Sequence, residues 1–320
     1  MESSSSPVVS VIIITYFSEK EIRACLDAAS TTSDDRVETI VIDNCSKDET
    51  INILKREYEE KGNVRLVFNE ENIGFAKGVN QGAALARGKY VLILNPDTIA
   101  PISAILTMVS YMEQHPDVGI LGPRITDEYG TAQESYGDDL TPWSEFLGKI
   151  VHSKYVERLP FVKKWKEAKL GTKKILTVGW IGGACALMPK ELFLSIGGID
   201  TRFFLSHGDM VDIGKKIKLR KLKAVLYPDI SIIHTGSKSV AHNREESLRA
   251  SYIGTLYVFQ KYHGAGTVFL AKIVYVTSSL LKTIVAFPIS LFKKEPYRSI
   301  AKAHFKNALR IVIGKLGTIS

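Results

Sequence analysis

Two polar clusters close apolar runs in this sequence. Asp43 ends a β-branched stretch over 37–44, and Asn95-Pro96-Asp97 follows another over 90–94. Carboxylates there either cap the next helix or serve a ligand. Two of them at the same edge of one sheet favour the ligand, because open α/β sheets bind beyond their carboxyl ends. A second acidic pair, Asp209 and Asp212, is spaced i and i+3, which puts both carboxylates on one helix face. Asn72-Ile73-Gly74-Phe75 opens a helix that contains Lys77 and Asn80. It is either an ordinary turn or an anion site, since free N–H groups and the dipole attract anions at a helix start. Gly182-Gly183 lies in an apolar stretch over 178–188. Glycine weakens a strand unless something needs close approach to the backbone. His234 ends a short apolar run, where one histidine is either structural or a ligand.

The elements that must position these residues alternate. Short β-branched runs predict strands over 8–16, 37–44, 64–68 and 90–94. Between them, helices are expected over 19–30, from a Ser46 N-cap to about 61, and over 75–87 before Gly88. Strands joined by crossover helices imply an α/β fold with a doubly wound, mainly parallel sheet. The stretch 125–174 shows little regular pattern before Pro142. Beyond it come an apolar strand over 178–188 and a helix over 189–196 ended by Gly197-Gly198. A basic helix over 209–221, short strands over 223–227 and 231–234, and a helix over 244–262 follow.

Composition narrows the classes. With 320 residues, 45% hydrophobic and 24% charged, the chain is too long for a disulfide-stapled module and too apolar for a disordered one. Cys25, Cys45 and Cys185 are sparse and show no metal spacing, which suits a reducing compartment. The first residues carry no basic n-region, so no secretory signal is expected. The net charge of +8 is uneven. Residues 261–320 hold ten Lys/Arg against one acid, and 149–174 hold nine against two. The remainder therefore carries a net −8. Both basic stretches are rich in apolar residues, with Tyr155, Phe161 and Trp165 in the first. Lysine mixed with Leu, Ile, Val and Phe suits an anionic membrane surface better than nucleic acid, so no nucleic-acid partner is expected. Residues 267–292 are nearly all apolar or Ser/Thr, broken by Lys272 and Lys282. The uncharged runs fall short of a spanning helix, so a helix lying in the membrane interface is expected, followed by a second over 297–313. The competing possibility is a helical hairpin packed on its own domain.

Six short motifs occur in order: Val11-Ile12-Ile13-Ile14-Thr15-Tyr16, Ile42-Asp43-Asn44-Cys45-Ser46-Lys47-Asp48, Asn72-Ile73-Gly74-Phe75, Leu94-Asn95-Pro96-Asp97-Thr98, Gly182-Gly183-Ala184 and Gly197-Gly198-Ile199-Asp200. Over about 8–240 the sequence resembles glycosyltransferase family 2, inverting enzymes of GT-A fold, in its rhamnosyltransferase-like branch. The resemblance implies a GT-A domain over 1–240 with a Rossmann-like nucleotide-binding half. A basic acceptor-side insert is placed at about 142–174, and a helical membrane-associating appendage at 241–320.

The roles below are those the resemblance implies. Thr15 and Tyr16 line the nucleoside site, and Asp43 accepts hydrogen bonds from base or ribose. Asn72, Gly74, Phe75, Lys77 and Asn80 receive the donor diphosphate. Asn95-Pro96-Asp97 stands where the family has its DxD motif, with asparagine first. Asp97 is then the ligand for Mg2+ or Mn2+, Asn95 lies on the donor side, and His234 is a second metal contact. Trp180, Gly182 and Gly183 floor the acceptor side. The general base belongs to an acidic cluster after the Gly197-Gly198 segment. No Glu-Asp pair is present there. Counting forward from Phe204 reaches Asp209 and counting back from Pro228 reaches Asp212. Asp209 is preferred. The expected partners are a dTDP- or UDP-sugar and a lipid-linked or polysaccharide acceptor, at the cytoplasmic membrane face with peripheral attachment. The missing Glu-Asp pair leaves an alternative: a non-catalytic sugar-nucleotide-binding or scaffold subunit.

Overall fold

The computed structural model describes residues 6–30, 34–151, 159–203, 208–236, 244–292 and 297–312. In chain order the elements begin β1 (Val9–Thr15), α1 (Ile22–Ser30), β2 (Val37–Asp43), α2 (Thr50–Tyr58), β3 (Val64–Phe68), α3 (Phe75–Leu85) and β4 (Tyr90–Leu94). Then come β5 (Thr98–Ile99), α4 (Ile102–Gln114), β6 (Val118–Thr126), β7 (Ala132–Gln133), β8 (Tyr136–Gly137), α5 (Pro142–Val151) and α6 (Pro160–Leu170). The rest are β9 (Leu176–Val178), β10 (Trp180–Ile181), β11 (Cys185–Pro189), α7 (Lys190–Ser195), α8 (Asp209–Leu219), β12 (Lys223–His234), α9 (Arg244–Tyr262), α10 (Ala265–Phe292) and α11 (Tyr297–Val312).

The chain forms two compact units. The first comprises Met1–Asp138, Leu170–Thr201 and Asp209–Ser237; the second comprises Asp139–Lys169, Arg202–Gly208 and Lys238–Ser320. Most of the basic insert thus groups with the C-terminal helices.

In the first unit the sheet runs β3-β2-β1-β4-β11-β6-β12-β5. Its first four strands are mutually parallel. β1 is buried along its whole length because both faces are covered. Val9, Val11 and Ile13 join a core with Leu26 of α1, Leu54 of α2 and Ile105 of α4. Ile12 and Ile14 join a second core with Val79 of α3, Phe193 of α7 and Ile213 of α8. This is the expected doubly wound arrangement. The succession β1, β2, β3 runs one way and β4 lies on the other side of β1. The order reverses between β1 and β4, and a crevice at such a switch point is where ligands bind. α3 lies close on β1 because it presents glycines there: a Cβ on Gly82 would come within 2.5 Å of Ile12 Cγ2.

Three local expectations change. Ser46 does not cap a helix: α2 starts at Thr50, and the Ser46 hydroxyl is held by Asp43 instead. The stretch over 178–188 is not one strand. β10 pairs with β8 in a separate two-stranded sheet, β11 pairs with β4, and Gly182-Gly183 falls between them. The two strands expected over 223–234 are one, β12, with a register shift against β6 between Tyr227 and Ser231. Pro228 lies at that shift, having no N–H to give to a ladder.

In the second unit α9, α10 and α11 share a small core of Tyr252, Tyr275 and Ile311. The Tyr252 and Tyr275 rings stack at 4.6 Å. The Tyr252 hydroxyl pairs with Ser279 Oγ at 2.9 Å, and the Tyr275 hydroxyl donates to Glu145 Oε1 of α5 at 2.8 Å. Against the expectation that its uncharged runs fall short of a span, α10 contains one stretch, Ala265–Ile284, long and apolar enough to cross a bilayer by length and composition.

Candidate active site

At the carboxyl end of β2 the Asp43 carboxylate is completely buried. Thr15 Oγ1 donates to its Oδ2 at 2.8 Å, as does Ser46 Oγ at 2.6 Å, while Ser46 N–H donates to Oδ1 at 2.8 Å. Thr15 and Asp43 therefore organise the loop, their side chains buried and bonded to one another and to Ser46. What they hold in place is exposed. Tyr16 and Phe17 are about half exposed and meet edge to face at 4.6 Å. Phe17 and Cys45 both adopt left-handed backbone, with φ of 55° and 63°. Such conformations cost free energy and persist where the surroundings enforce them. Here Ser46 Oγ accepts the Phe17 N–H at 3.0 Å. The result is an aromatic lip on the crevice.

Across that crevice α3 opens at Gly74, whose φ of 84° demands glycine. Asn72 Oδ1 accepts the Gly74 N–H at 2.9 Å, closing the turn. Phe75 is half-buried behind it and Lys77 is exposed within the first turn of α3. Asn80 is engaged with the Gly197-Gly198-Ile199 turn. Its Nδ2 donates to Ile199 carbonyl at 2.8 Å and its Oδ1 accepts Ile199 N–H at 2.9 Å. It ties the Gly197-Gly198-Ile199 turn to α3, and a Cβ on Gly198 would strike that amide.

Beyond β4, Asn95 N–H donates to Ala184 carbonyl at 3.1 Å. Its own carbonyl accepts the Cys25 thiol at 3.5 Å. Burial first, then the Asp97 charge, pushes the Cys25 thiol up, so it stays protonated. Asp97 is buried and its backbone carbonyl accepts the Thr235 N–H at 2.9 Å. That bond, and the pairing of His234 with Thr98, bring the end of β12 to the end of β4. His234 Nε2 lies 3.2 Å from Asp97 Oδ1. On the ring's other side Nδ1 is 2.8 Å from Gln133 Oε1.

The acceptor-side residues gather nearby. A Cβ on Gly183 would sit 3.6 Å from Met210 Cγ and 3.8 Å from Phe75 Cζ. Gly183 thus brings the α3 opening and the start of α8 together. Gly182 N–H donates to Ser135 carbonyl at 2.6 Å, and the half-buried Trp180 ring covers Gly137, leaving no room there for a Cβ. Asp209 is the first residue of α8, buried, its Oδ1 accepting the Met210 N–H at 2.8 Å. Asp212, one turn on, is sealed from solvent and ion-paired with Lys216 at 3.1 Å.

The family model for glycosyl transferase family 2 matches residues 10–192. The chain belongs to this family. It is 25% identical over 263 residues to the N-acetylglucosaminyl-diphospho-decaprenol L-rhamnosyltransferase of Mycobacterium tuberculosis, covering 79% of this chain and 83% of that one. A solved mannosyltransferase from Pyrobaculum calidifontis, in complex with GDP-Man and Mn2+, superposes with TM-score 0.56 at 18% identity, covering 98% of this chain and 88% of that one. GalNAc-T7, solved with UDP, GalNAc and Mn2+, gives TM-score 0.51 at 17% identity over 79% of this chain and 48% of its own. The fold of this family 2 member is accordingly GT-A.

Its residues fit a divalent cation in part. Mg2+ and Mn2+ favour oxygen ligands and keep sites open for water and phosphate. No group of three or more His, Cys, Asp or Glu that could hold a metal occurs among the described residues. Asp97 and His234, 3.2 Å apart, are the two residues that could hold it, and they would leave most coordination positions to a bound diphosphate. Gln133 is the residue that sequence reasoning missed. Its only signal is a turn, Asp127 to Gly130, that folds β7 back on β6.

Proposed function

We propose that this protein is an inverting glycosyltransferase. It would move a sugar, rhamnose from dTDP-rhamnose being the leading case, to a lipid-linked or polysaccharide acceptor. The observation that carries this is the convergence at the switch point of three parts: the Asp97–His234 corner, the Gly74 opening of α3 and the Gly183–Met210 contact beside Asp209. The chemistry matches the parts. The α3 start and Lys77 bind and orient the diphosphate, and the lip at Tyr16 and Phe17 covers the nucleoside. Asp97 and His234 would hold the cation, which when bound offsets charge on the departing nucleoside diphosphate. Asp209 takes the proton from the attacking hydroxyl. The similarity to a rhamnosyltransferase named for a decaprenol-linked acceptor supports the acceptor class. A thermal-shift panel of UDP-, dTDP- and GDP-sugars, each with and without Mn2+, tests the donor. One nucleotide class should raise the melting temperature, and more so with Mn2+, since a ligand selective for the native state stabilises it. No shift with any donor would remove the proposal.

We further propose peripheral attachment to the cytoplasmic face of the membrane. α10 is inverted relative to a water-facing helix. It buries Tyr275, Ser278 and Ser279 but exposes Phe269, Leu270, Ile273, Leu280, Leu281, Ile284 and Phe287. A helix that turns an apolar face outward beside basic residues is suited to lie in the headgroup–acyl boundary. α6 adds exposed Phe161 and Trp165, one turn apart, among Lys163, Lys164 and Lys169. Tyr155 lies outside the described residues. Replacing Phe269 and Ile284 together with Asp should leave the fold intact. It should weaken co-sedimentation with phosphatidylglycerol vesicles at least about tenfold, as each large apolar side chain buried is worth roughly 1.5–3 kcal/mol. Unchanged binding would exclude this face.

A further inference from the structure

We propose that Gln133 is a positioning residue that fixes which nitrogen of His234 is presented to Asp97. The inference rests on the assignment of Asp97 and His234 as the cation corner. Gln133 reaches His234 from 101 residues away and brackets it at two points. Its Nε2 donates to the His234 backbone carbonyl at 2.8 Å. A carbonyl cannot donate, so this bond sets the orientation of the amide. The amide oxygen must then face the ring, and it lies 2.8 Å from Nδ1. An amide oxygen can only accept, so Nδ1 carries a proton.

The consequence falls on the other ring nitrogen. In the neutral ring Nε2 holds its lone pair, and it points at Asp97 Oδ1 from 3.2 Å. A lone pair and a carboxylate oxygen repel unless positive charge sits beside both. With Asp97 and His234 as ligands, the bracket leaves the Nε2 lone pair for a cation beside Asp97, whereas a second proton on Nε2 would make an imidazolium–carboxylate pair in its place. Without the bracket, the Nδ1 proton could move to Nε2, bond directly to Asp97 and close the corner. In metal sites the partner of the distal ring nitrogen sets the tautomer in this way.

The fold explains how Gln133 arrives there. Asp127 Oδ1 accepts the N–H groups of Tyr129 at 2.9 Å and Thr131 at 2.7 Å, making a tight turn. β7 then returns along β6 with Gln133 opposite Ile125. Ile125 in turn pairs with Ile232 of β12, two residues before His234.

The test uses the full chain with 15N-labelled histidine, the His234 signals assigned by their loss in His234→Gln. Nδ1 should be protonated in the wild type. Gln133→Leu should shift the neutral ring's proton to Nε2. It should also weaken Mn2+ binding, followed by electron paramagnetic resonance with saturating UDP or dTDP, by about 10–100-fold. Gln133→Glu keeps an acceptor at Nδ1 and should retain the protonated nitrogen and most of the affinity. An unprotonated Nδ1 in the wild type, or wild-type Mn2+ affinity in Gln133→Leu, would overturn the proposal. Mn2+ affinity untouched by Asp97→Asn would instead remove the cation corner itself, a failure that the metal-free nitrogen signals separate from the tautomer.

Discussion

Asp97→Ala is expected to lower sugar transfer on the order of a thousandfold and to abolish its response to added Mn2+. The effect should be large because the substitution deletes the one anionic ligand of the corner. A cation offsetting charge on the leaving group is worth several kcal/mol, and each 1.36 kcal/mol is about tenfold in rate. His234 alone, a neutral nitrogen donor, suits a hard oxygen-seeking ion poorly. The fold should survive. The Asp97 backbone carbonyl accepts from Thr235 N–H at 2.9 Å and from Thr235 Oγ1 at 3.2 Å, and neither bond needs the side chain. Turnover measured across a Mn2+ titration, beside a thermal melt, checks both halves. Full activity in the variant would end the metal assignment, whereas rescue by excess Mn2+ would show that Asp97 only tightens binding.

The contrast between what the sequence discloses and what it hides follows from the physics of each part. β1, β2 and β4 are legible because strands buried on both faces are mostly apolar, and β3, a half-exposed edge strand, still reads as a short β-branched run. β6 is just as buried but illegible, since it contains Gly119, Gly122 and Pro123, which read as breakers. Those glycines serve packing: a Cβ on Gly122 would strike Ile181, and one on Gly119 would come within 2.9 Å of Ile217. The site divides in the same way. The positions of Asp43 and Asp97 follow from strand ends, but their use does not. Asp43 accepts from Thr15 and Ser46 inside the loop. Asp97 stays directed at His234. Asn80 and Gln133 act on residues 119 and 101 positions away, a separation that no local pattern encodes.

Asp209→Asn and Asp212→Asn should fail in different ways, and the difference identifies the base. Asp212 has no exposed surface, and its carboxylate pairs with Lys216, which also donates to Gly198 carbonyl at 2.8 Å. That lysine links α8 to the glycine turn held by Asn80. Removing the Asp212 charge strands a largely buried ammonium, a change that commonly costs about 3–5 kcal/mol. The expected outcome is a lower melting temperature with turnover per folded molecule preserved. Asp209 stands at the start of α8, next to the Met210 that touches Gly183, where an acceptor hydroxyl would be brought. Asparagine keeps its shape and its bond from Met210 N–H but cannot take a proton. Since a positioned general base contributes about 10²–10⁴-fold, kcat should fall by that factor while the donor still raises the melting temperature. The opposite pattern would move the base to Asp212. If neither variant loses rate in a chain that transfers sugar, the proton goes elsewhere. If the wild type binds donor and transfers nothing, the absent Glu-Asp pair marks a sugar-nucleotide-binding subunit built on an enzyme's fold.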